Sequence, residues 1–485
     1  MSWKRRDFFQ AVMGGGLLLA GAKSWASQHS QHMQHRPTIT GEKSAEETTV
    51  PAGPFLAVET PDLPKLPWHV ENGVKVFHLL PEVVKREFLP GSTFDTWGFN
   101  GTTPGPAIEV MEGDRVRIVV ENRLPEPTSI HWHGLEVPIG MDGVSGLTQD
   151  PIPPGGTFVY EYMVHQHCTF FYHSHMPMQQ MMGLIGLFII HPRKPYQPSV
   201  DKDFGLIVQG WAILPNNTVP NSMAMEFNWL TINGKAGPAT TPLIVRRGDR
   251  VRIRFVNLGM DHHPMHLHGN TFYVTGTEAG RVPEAAWTPA NTVLVGVAQA
   301  RDVEFEANYP GDWMLHCHLP HHMANHMASM VGPLAHVSQG MHAGLGMEQG
   351  MGMLERGHAL SEEIGPSFGR GMGVGATLEE AITNMGIGPS GQPRPEASGR
   401  GQQVHGEQPQ TRVPGFPQDM HMAMDELVAK PETYAMRPTW SAAISGMMTV
   451  VRVLPPDLYA KVRELQAQGR KEAPSPMPHK HQHGS

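Results

Sequence analysis

Short runs in which Val, Ile and other apolar residues alternate with polar ones recur through the middle of this chain, as in Ala107 to Glu121 and Leu243 to Asn257, with Gly and Pro between them. Alternation at period two puts every second side chain on one face of a sheet, so these runs predict half-buried strands. Their spacing predicts an all-β chain built of sandwiches. The pattern changes near residue 338. From there to 418 Gly, Pro, Met, Gln and His predominate with little periodicity, as in Met341-His342-Ala343-Gly344-Leu345-Gly346-Met347, which predicts a low-complexity linker. In the extension that follows, 419–485, Trp440, Ile444, Met447, Val451 and Leu454 fall at helical spacing, and Pro456 to Gln468 predicts a second short helix ahead of a disordered, His-rich end. Docking on the preceding domains is the default expectation for this extension.

The alternating region is a repeat. Gly113-Asp114-Arg115-Val116-Arg117-Ile118 returns 135 positions later as Gly248-Asp249-Arg250-Val251-Arg252-Ile253. The same shift carries His131 and His133 onto His266 and His268, and a shift of 143 carries His173 and His175 onto His316 and His318. Each copy therefore supplies four histidines. Other positions break the symmetry: His263 maps back to Thr128, Cys317 to Ser174, His322 to Gln179 and Met327 to Leu184.

Those histidines sit in four motifs: Ile130-His131-Trp132-His133-Gly134, Tyr172-His173-Ser174-His175, His263-Pro264-Met265-His266-Leu267-His268-Gly269 and His316-Cys317-His318. On a strand, His-X-His sets both imidazoles on one face. In His316-Cys317-His318 the thiolate points to the other face, so one strand can hold a metal on each side. Cys317, His322 and His263, with Met327 in reach as a weak axial thioether, form the donor set of a blue-copper electron-transfer site.

These motifs, in this order, resemble the multicopper oxidases, the family of laccases and of cuprous and ferrous oxidases. The resemblance implies four coppers per functional unit. His131 and His266 are implied as type 2 ligands, and His133, His173, His175, His268, His316 and His318 as ligands of the type 3 pair. His263, Cys317 and His322 are implied as type 1 ligands, with Met327 axial. It further implies cupredoxin-like Greek-key sandwiches, here two in tandem, at about 70–192 and 203–337. His263 follows His175 by only 88 positions, so the middle domain of three-domain relatives is missing. The layout is similar to two-domain oxidases, including small laccases, which build the trinuclear cluster between domain 1 of one subunit and domain 2 of the next; a homotrimer is the expectation.

By the same resemblance, the type 1 copper takes single electrons from a small-molecule or metal-ion reductant, and Cys317 with its flanking histidines passes them on for reduction of dioxygen to water. Asp142, in Met141-Asp142-Gly143, stands where the family carries an acid beside the cluster, implying a proton or water-orienting role. A second acid found in some members is replaced by Pro320. The 31 methionines, with Met176, Met178, Met181 and Met182 directly after His173-Ser174-His175, resemble copper-tolerance oxidases, and thioethers suit Cu(I). Cu(I) and phenolic or amine reductants are the expected substrates. The alternatives are a copper-containing nitrite reductase, which Ser174 in place of a first-domain Cys argues against, and a non-enzymatic periplasmic copper-binding protein.

Lys4-Arg5-Arg6-Asp7-Phe8-Phe9, an apolar Gly-rich run and Ser24-Trp25-Ala26 predict a twin-arginine signal over 1–26, and so the twin-arginine export machinery as a partner and a periplasmic location. A flexible segment is expected over 27–69. Only two cysteines occur, and with Cys317 engaged by metal no intrachain disulfide is available; Cys168 reads as a small buried core residue. Removal of the signal takes the formal charge from -8 to about -11, which argues against a nucleic-acid partner.

Overall fold

The computed structural model describes residues 55–176, 178–213, 217–223, 227–325 and 423–472. The signal, the low-complexity linker, Met327 and the His-rich end lie outside the described residues. Domain 1 contains β1 (Trp68–Glu71), β2 (Val74–Leu79), β3 (Pro81–Leu89), β4 (Ser92–Phe99), β5 (Gly105–Met111), β6 (Arg115–Glu121), β7 (Ile130–His133), β8 (Thr157–Met163), β9 (Cys168–Ser174) and β10 (Ile185–His191). Two sheets, ordered β1-β2-β6-β8 and β5-β10-β9-β7, face each other, and β3 and β4 form a hairpin. Their shared core includes Phe77, Ile118, Trp132, Tyr160, Tyr172 and Phe188.

Domain 2 contains β11 (Lys202–Trp211), β12 (Trp229–Ile232), β13 (Leu243–Arg246), β14 (Arg250–Asn257), β15 (His263–Leu267), β16 (Phe272–Thr277), β17 (Gly280–Arg281), β18 (Thr288–Ala290), β19 (Thr292–Val295), β20 (Gln299–Glu306), β21 (Gly311–Cys317) and β22 (Met448–Leu454). One sheet runs β12-β11-β14-β20-β16-β17, with β18 added on β16, and the other β13-β22-β21-β15-β19. The all-β, two-sandwich reading of the alternating runs is the architecture found.

The C-terminal extension differs from the expected pair of helices. A helix does form at Pro456–Glu472, α1, but Met448–Leu454 is strand β22, seated between β13 and β21 in the sheet of domain 2. Every residue of β22 is buried. A strand covered on both faces has no period-two alternation, and its apolar run satisfied a helical template by accident. The sheet thus takes in a strand lying well beyond residue 337. β22 runs parallel to β13 and antiparallel to β21, the same relations that β10 has to β5 and β9 in domain 1.

The expected flexibility of 27–69 also fails over its last part. Val58 and Leu63 are buried in a cluster that joins the two domains, and Glu59 exchanges backbone hydrogen bonds with Asp203 and Gly205. A turn at Pro61 and Asp62, closed by the Leu63 N–H donating to Thr60 O at 3.0 Å, interrupts this stretch, and its few apolar side chains seal the seam.

That seam explains why β9 and β10 are buried at every position. One face packs on the domain 1 core; the other, with Phe171, Ile185, Leu187 and Ile189, packs on Ile207, Val256, Leu258 and Ala300 of domain 2. At its centre Arg254 donates to both carboxylate oxygens of Asp203, at 2.7 and 2.8 Å, and to Thr169 Oγ1 of domain 1 at 2.7 Å. Asp302 accepts from the Thr169 hydroxyl at 2.7 Å and from the Cys168 thiol at 3.1 Å. Burial alone would push the Asp203 carboxyl up, but the Arg254 and Arg252 guanidiniums overcome it and hold it below the usual carboxylate value. Removing one partner of such a buried pair costs about 3–5 kcal/mol. The network fixes how the domains meet, and hence where their histidines lie.

Candidate metal centres

On β15, His263, Met265 and Leu267 are buried toward the core of domain 2, while Pro264 and His266 face outward. β21 pairs with β15 so that Met265 lies opposite Cys317 and His266 opposite His316. The period-two rule therefore separates two donor groups by the thickness of one strand. On the inner side, His263, Cys317 and His322 are each 0% exposed. His322 comes from the 3-10 turn Pro320–Met323 that follows β21.

Cys317 Sγ stands 3.7 Å from His263 Nδ1 and 3.4 Å from His322 Nδ1, and the two Nδ1 atoms are 3.2 Å apart. Donors about 2.0–2.3 Å from one ion lie about 3.3–3.7 Å from each other, so the three donor atoms fit a single metal. Burial pushes His263 down to about 3 and His322 to about 4, keeping both imidazoles neutral, the form that ligates. It pushes the Cys317 thiol up to about 12, so the thiolate needs a cation beside it. Two imidazoles and a thiolate suit copper.

The outer side carries His266, His268 and His316, whose donor atoms group within 4.8 Å. His318 joins through its ring contacts with His266 at 5.3 Å and His316 at 5.4 Å. Domain 1 repeats the arrangement: His131, His133 and His173 group in the same way, and the His175 ring lies 5.3 Å from that of His131. In both copies backbone carbonyls set the rings. His173 Nδ1–H donates to Ser174 O and His316 Nδ1–H to Cys317 O, both at 2.8 Å. His131 Nδ1–H donates to Asp142 O and His266 Nδ1–H to Asn291 O, again both at 2.8 Å. Each bond leaves Nε2 free to bind metal. The Asp142 carboxylate lies 3.4 Å from His131 Nδ1. Asn291 went unnoticed in the sequence because its carbonyl does the work, and a carbonyl leaves no mark on residue type.

The two quartets lie on different sheets. His131, His133 and His173 share a face of β7 and β9 with Phe171, the face turned toward domain 2, and His133 stacks on Phe171 at 4.3 Å. That face meets the sheet of β11, β14, β20 and β16. His266, His268 and His316 lie beyond it, on the outside of the opposite sheet of domain 2. Facing sheets are about 10 Å apart, and the core of domain 2 lies between them. Among the described residues, no ring contact joins one quartet to the other.

In domain 1 the counterpart of the buried Cys/His group is a hydrogen-bonded cluster. Thr128 Oγ1 and Ser174 Oγ both donate to Gln179 Oε1, at 2.8 and 2.7 Å, and Gln179 Nε2 donates to Pro127 O at 2.9 Å. All three side chains are buried. Among the described residues this leaves no blue-copper donor set in domain 1, where the nitrite reductase alternative needs one. Gln179→Leu removes the acceptor shared by two buried hydroxyls and the donor to Pro127 O, so it is expected to cost about 1–3 kcal/mol, measured by thermal unfolding, with blue absorbance unchanged.

Residues 82–195 and 213–332 match two family models, each described as multicopper oxidase. Over 124 residues the chain is 40% identical to the copper resistance protein A homolog of Pseudomonas syringae pv. tomato, covering 26% of this chain and 21% of that one. It is 34% identical over 245 residues to laccase-2 of Botryotinia fuckeliana, covering 46% of this chain and 41% of that one. The blue copper oxidase of Nitrosomonas europaea is a structural neighbour at 32% identity and a TM-score of 0.49, over 52% of this chain and 81% of that one. The chain thus spans between a fifth and two fifths of the length of these two curated relatives. The histidine groups of both sandwiches, with Cys317, fall within the matched segments: the chain belongs to the multicopper oxidase family.

Proposed function

We propose that this protein oxidises a reductant one electron at a time at the His263, Cys317 and His322 centre and reduces dioxygen to water at a centre made by the eight outer histidines. The buried Cys/His group carries this reading, because the strand that ends it also holds His316 on its other face. The coppers, when bound, supply the one-electron steps and the binding of dioxygen. The chain supplies the path: Cys317 is bonded through its backbone to His316 and His318, and the His316 Nδ1–H donation to Cys317 O adds a second connection. Asp142 holds the His131 ring in place through its carbonyl and sets a carboxylate beside it, where it can orient water or carry a proton.

The separation of the quartets within one chain supports a cluster shared between copies, with domain 1 of one subunit facing domain 2 of the next in a closed homotrimer. Met327, to which the sequence motif assigns the axial position, lies outside the described residues. Export by the twin-arginine route to the periplasm completes the proposal; among the described residues no helix is long and apolar enough to cross a membrane.

Cu(I), together with phenolic or amine reductants, is the proposed substrate. The names of the relatives, copper resistance protein and laccase, point the same way. Met181 is buried against Met260, Ala212 and Phe227, and Gln180 Nε2 donates to Leu258 O at 2.6 Å. The Met-bearing loop of domain 1 thus lies against the segment leading into His263. Met176 is partly buried and Met178 is 38% exposed, so the loop also meets solvent. Changing Met176, Met178, Met181 and Met182 together to Leu is expected to slow Cu(I) oxidation by about tenfold, about 1.4 kcal/mol, and to leave oxidation of a bulky phenol within about twofold. Oxygen uptake with each reductant measures this; equal rates on both, before and after, would exclude a Cu(I)-handling role for the loop.

A further inference from the structure

The axial position of the blue-copper centre is reached by counting along the chain from Cys317, and that count gives Met327. The count assumes that domain 2 follows its histidines as domain 1 does. It does not: Leu184 follows Gln179 by five positions and leads straight into β10, whereas the strand that takes the place of β10 in domain 2 is β22, from Met448. A long segment without counterpart in domain 1 lies between His322 and that strand. The residue in the place of Leu184 must be found in space.

Four backbone bonds locate it. In domain 1 the Ser174 N–H donates to Leu184 O at 3.0 Å and the Leu184 N–H to Gln179 O at 3.3 Å. In domain 2 the Cys317 N–H donates to Met447 O at 3.0 Å and the Met447 N–H to His322 O at 2.9 Å. Ser174 and Gln179 are the counterparts of Cys317 and His322, so Met447 holds the position of Leu184. The next pair along each ladder agrees, with Ile185 opposite His173 and Met448 opposite His316. Even the preceding residue agrees: Gly183 and Gly446 both have positive φ, +114° and +61°. A Cβ on Gly446 would come within 2.3 Å of His322 O, so the close approach of this segment to the site requires glycine.

We propose that Met447, 125 positions beyond His322, is the axial thioether ligand of the blue-copper centre, and that Met327 is not. Met447 is 0% exposed and shares one apolar cluster with Cys317. The antiparallel ladder puts it directly opposite Cys317, where side chains on paired strands share a face. Met265, on the other neighbouring strand, is the rival. Its counterpart Ile130 is an ordinary core residue of domain 1, and Met265 lacks the paired bonds to the Cys317 and His322 backbones. The consequence is that the centre is assembled from two distant stretches of chain, and copper there ties β22 to the rest of domain 2.

This assignment rests on the copper reading above. Its test uses the copper-loaded full chain and four variants, M447L, M447Q, M327L and M265L, read by the electron paramagnetic resonance of the type 1 copper and by its reduction potential. Loss of a thioether destabilises Cu(II), and a carbonyl oxygen stabilises it. M447L is therefore expected to raise the potential and M447Q to lower it with an altered copper hyperfine splitting, while M327L and M265L keep the wild-type spectrum and potential. A shift in M327L or M265L overturns the assignment, and does so even where the Met447 variants fail to fold; so does a wild-type signal in both Met447 variants. Absence of a blue-copper signal from the copper-loaded wild type is a different failure, that of the copper reading itself.

Discussion

Cys317→Ser is expected to abolish the blue-copper absorption and resonance and to lower oxidase turnover by more than about 100-fold, since outer-shell changes alone cost about 10–100-fold. The reason is positional as well as chemical. Cys317 supplies the thiolate of the inner group, and its backbone joins that group to His316 and His318. A serine preserves the strand and the amide that donates to Met447 O, so the fold should survive. The outer histidines keep their donor atoms, and the variant should retain about three of four coppers by elemental analysis. Retained blue absorbance, or loss of all copper, would contradict the separation of the two groups by one strand.

A second large effect concerns the quartets. His133→Ala in domain 1 and His268→Ala in domain 2 should each lower oxygen uptake by more than about 100-fold. When the two inactive variants are refolded together, random association in a head-to-tail ring leaves about a quarter of the junctions with both quartets intact. Activity should therefore return to about a quarter of the wild-type value in the mixture, with an assembly larger than a monomer by sedimentation. A cluster built within one chain gives no recovery at all.

Much of the donor grouping was legible in the sequence because it depends on one geometric rule. Alternation on a strand separates Cys317 from His316 and His263 from His266 without any knowledge of the rest of the fold. The repeat added the counterpart of each position, and Thr128, Ser174 and Gln179 do converge where the Cys/His group stands in domain 2.

What stayed hidden has two physical causes. β22 is buried on both faces, so its pattern carried no period, and the long insertion before it broke the count that pointed to Met327. A comparison of Gly183-Leu184-Ile185 with Gly446-Met447-Met448 was the available signal, since each pair of a glycine and an apolar residue opens a strand. Backbone acceptors, such as the carbonyls of Asp142 and Asn291, were hidden for the other reason: any residue type can provide them.

Joint measurement of reductant consumed, dioxygen consumed and hydrogen peroxide formed by the copper-loaded protein tests the proposed activity most directly. Four equivalents of a one-electron reductant should disappear for each dioxygen, without peroxide, and Cys317→Ser should stop the consumption of both. Two equivalents per dioxygen with matching peroxide, or copper binding without any oxygen uptake, would contradict the account.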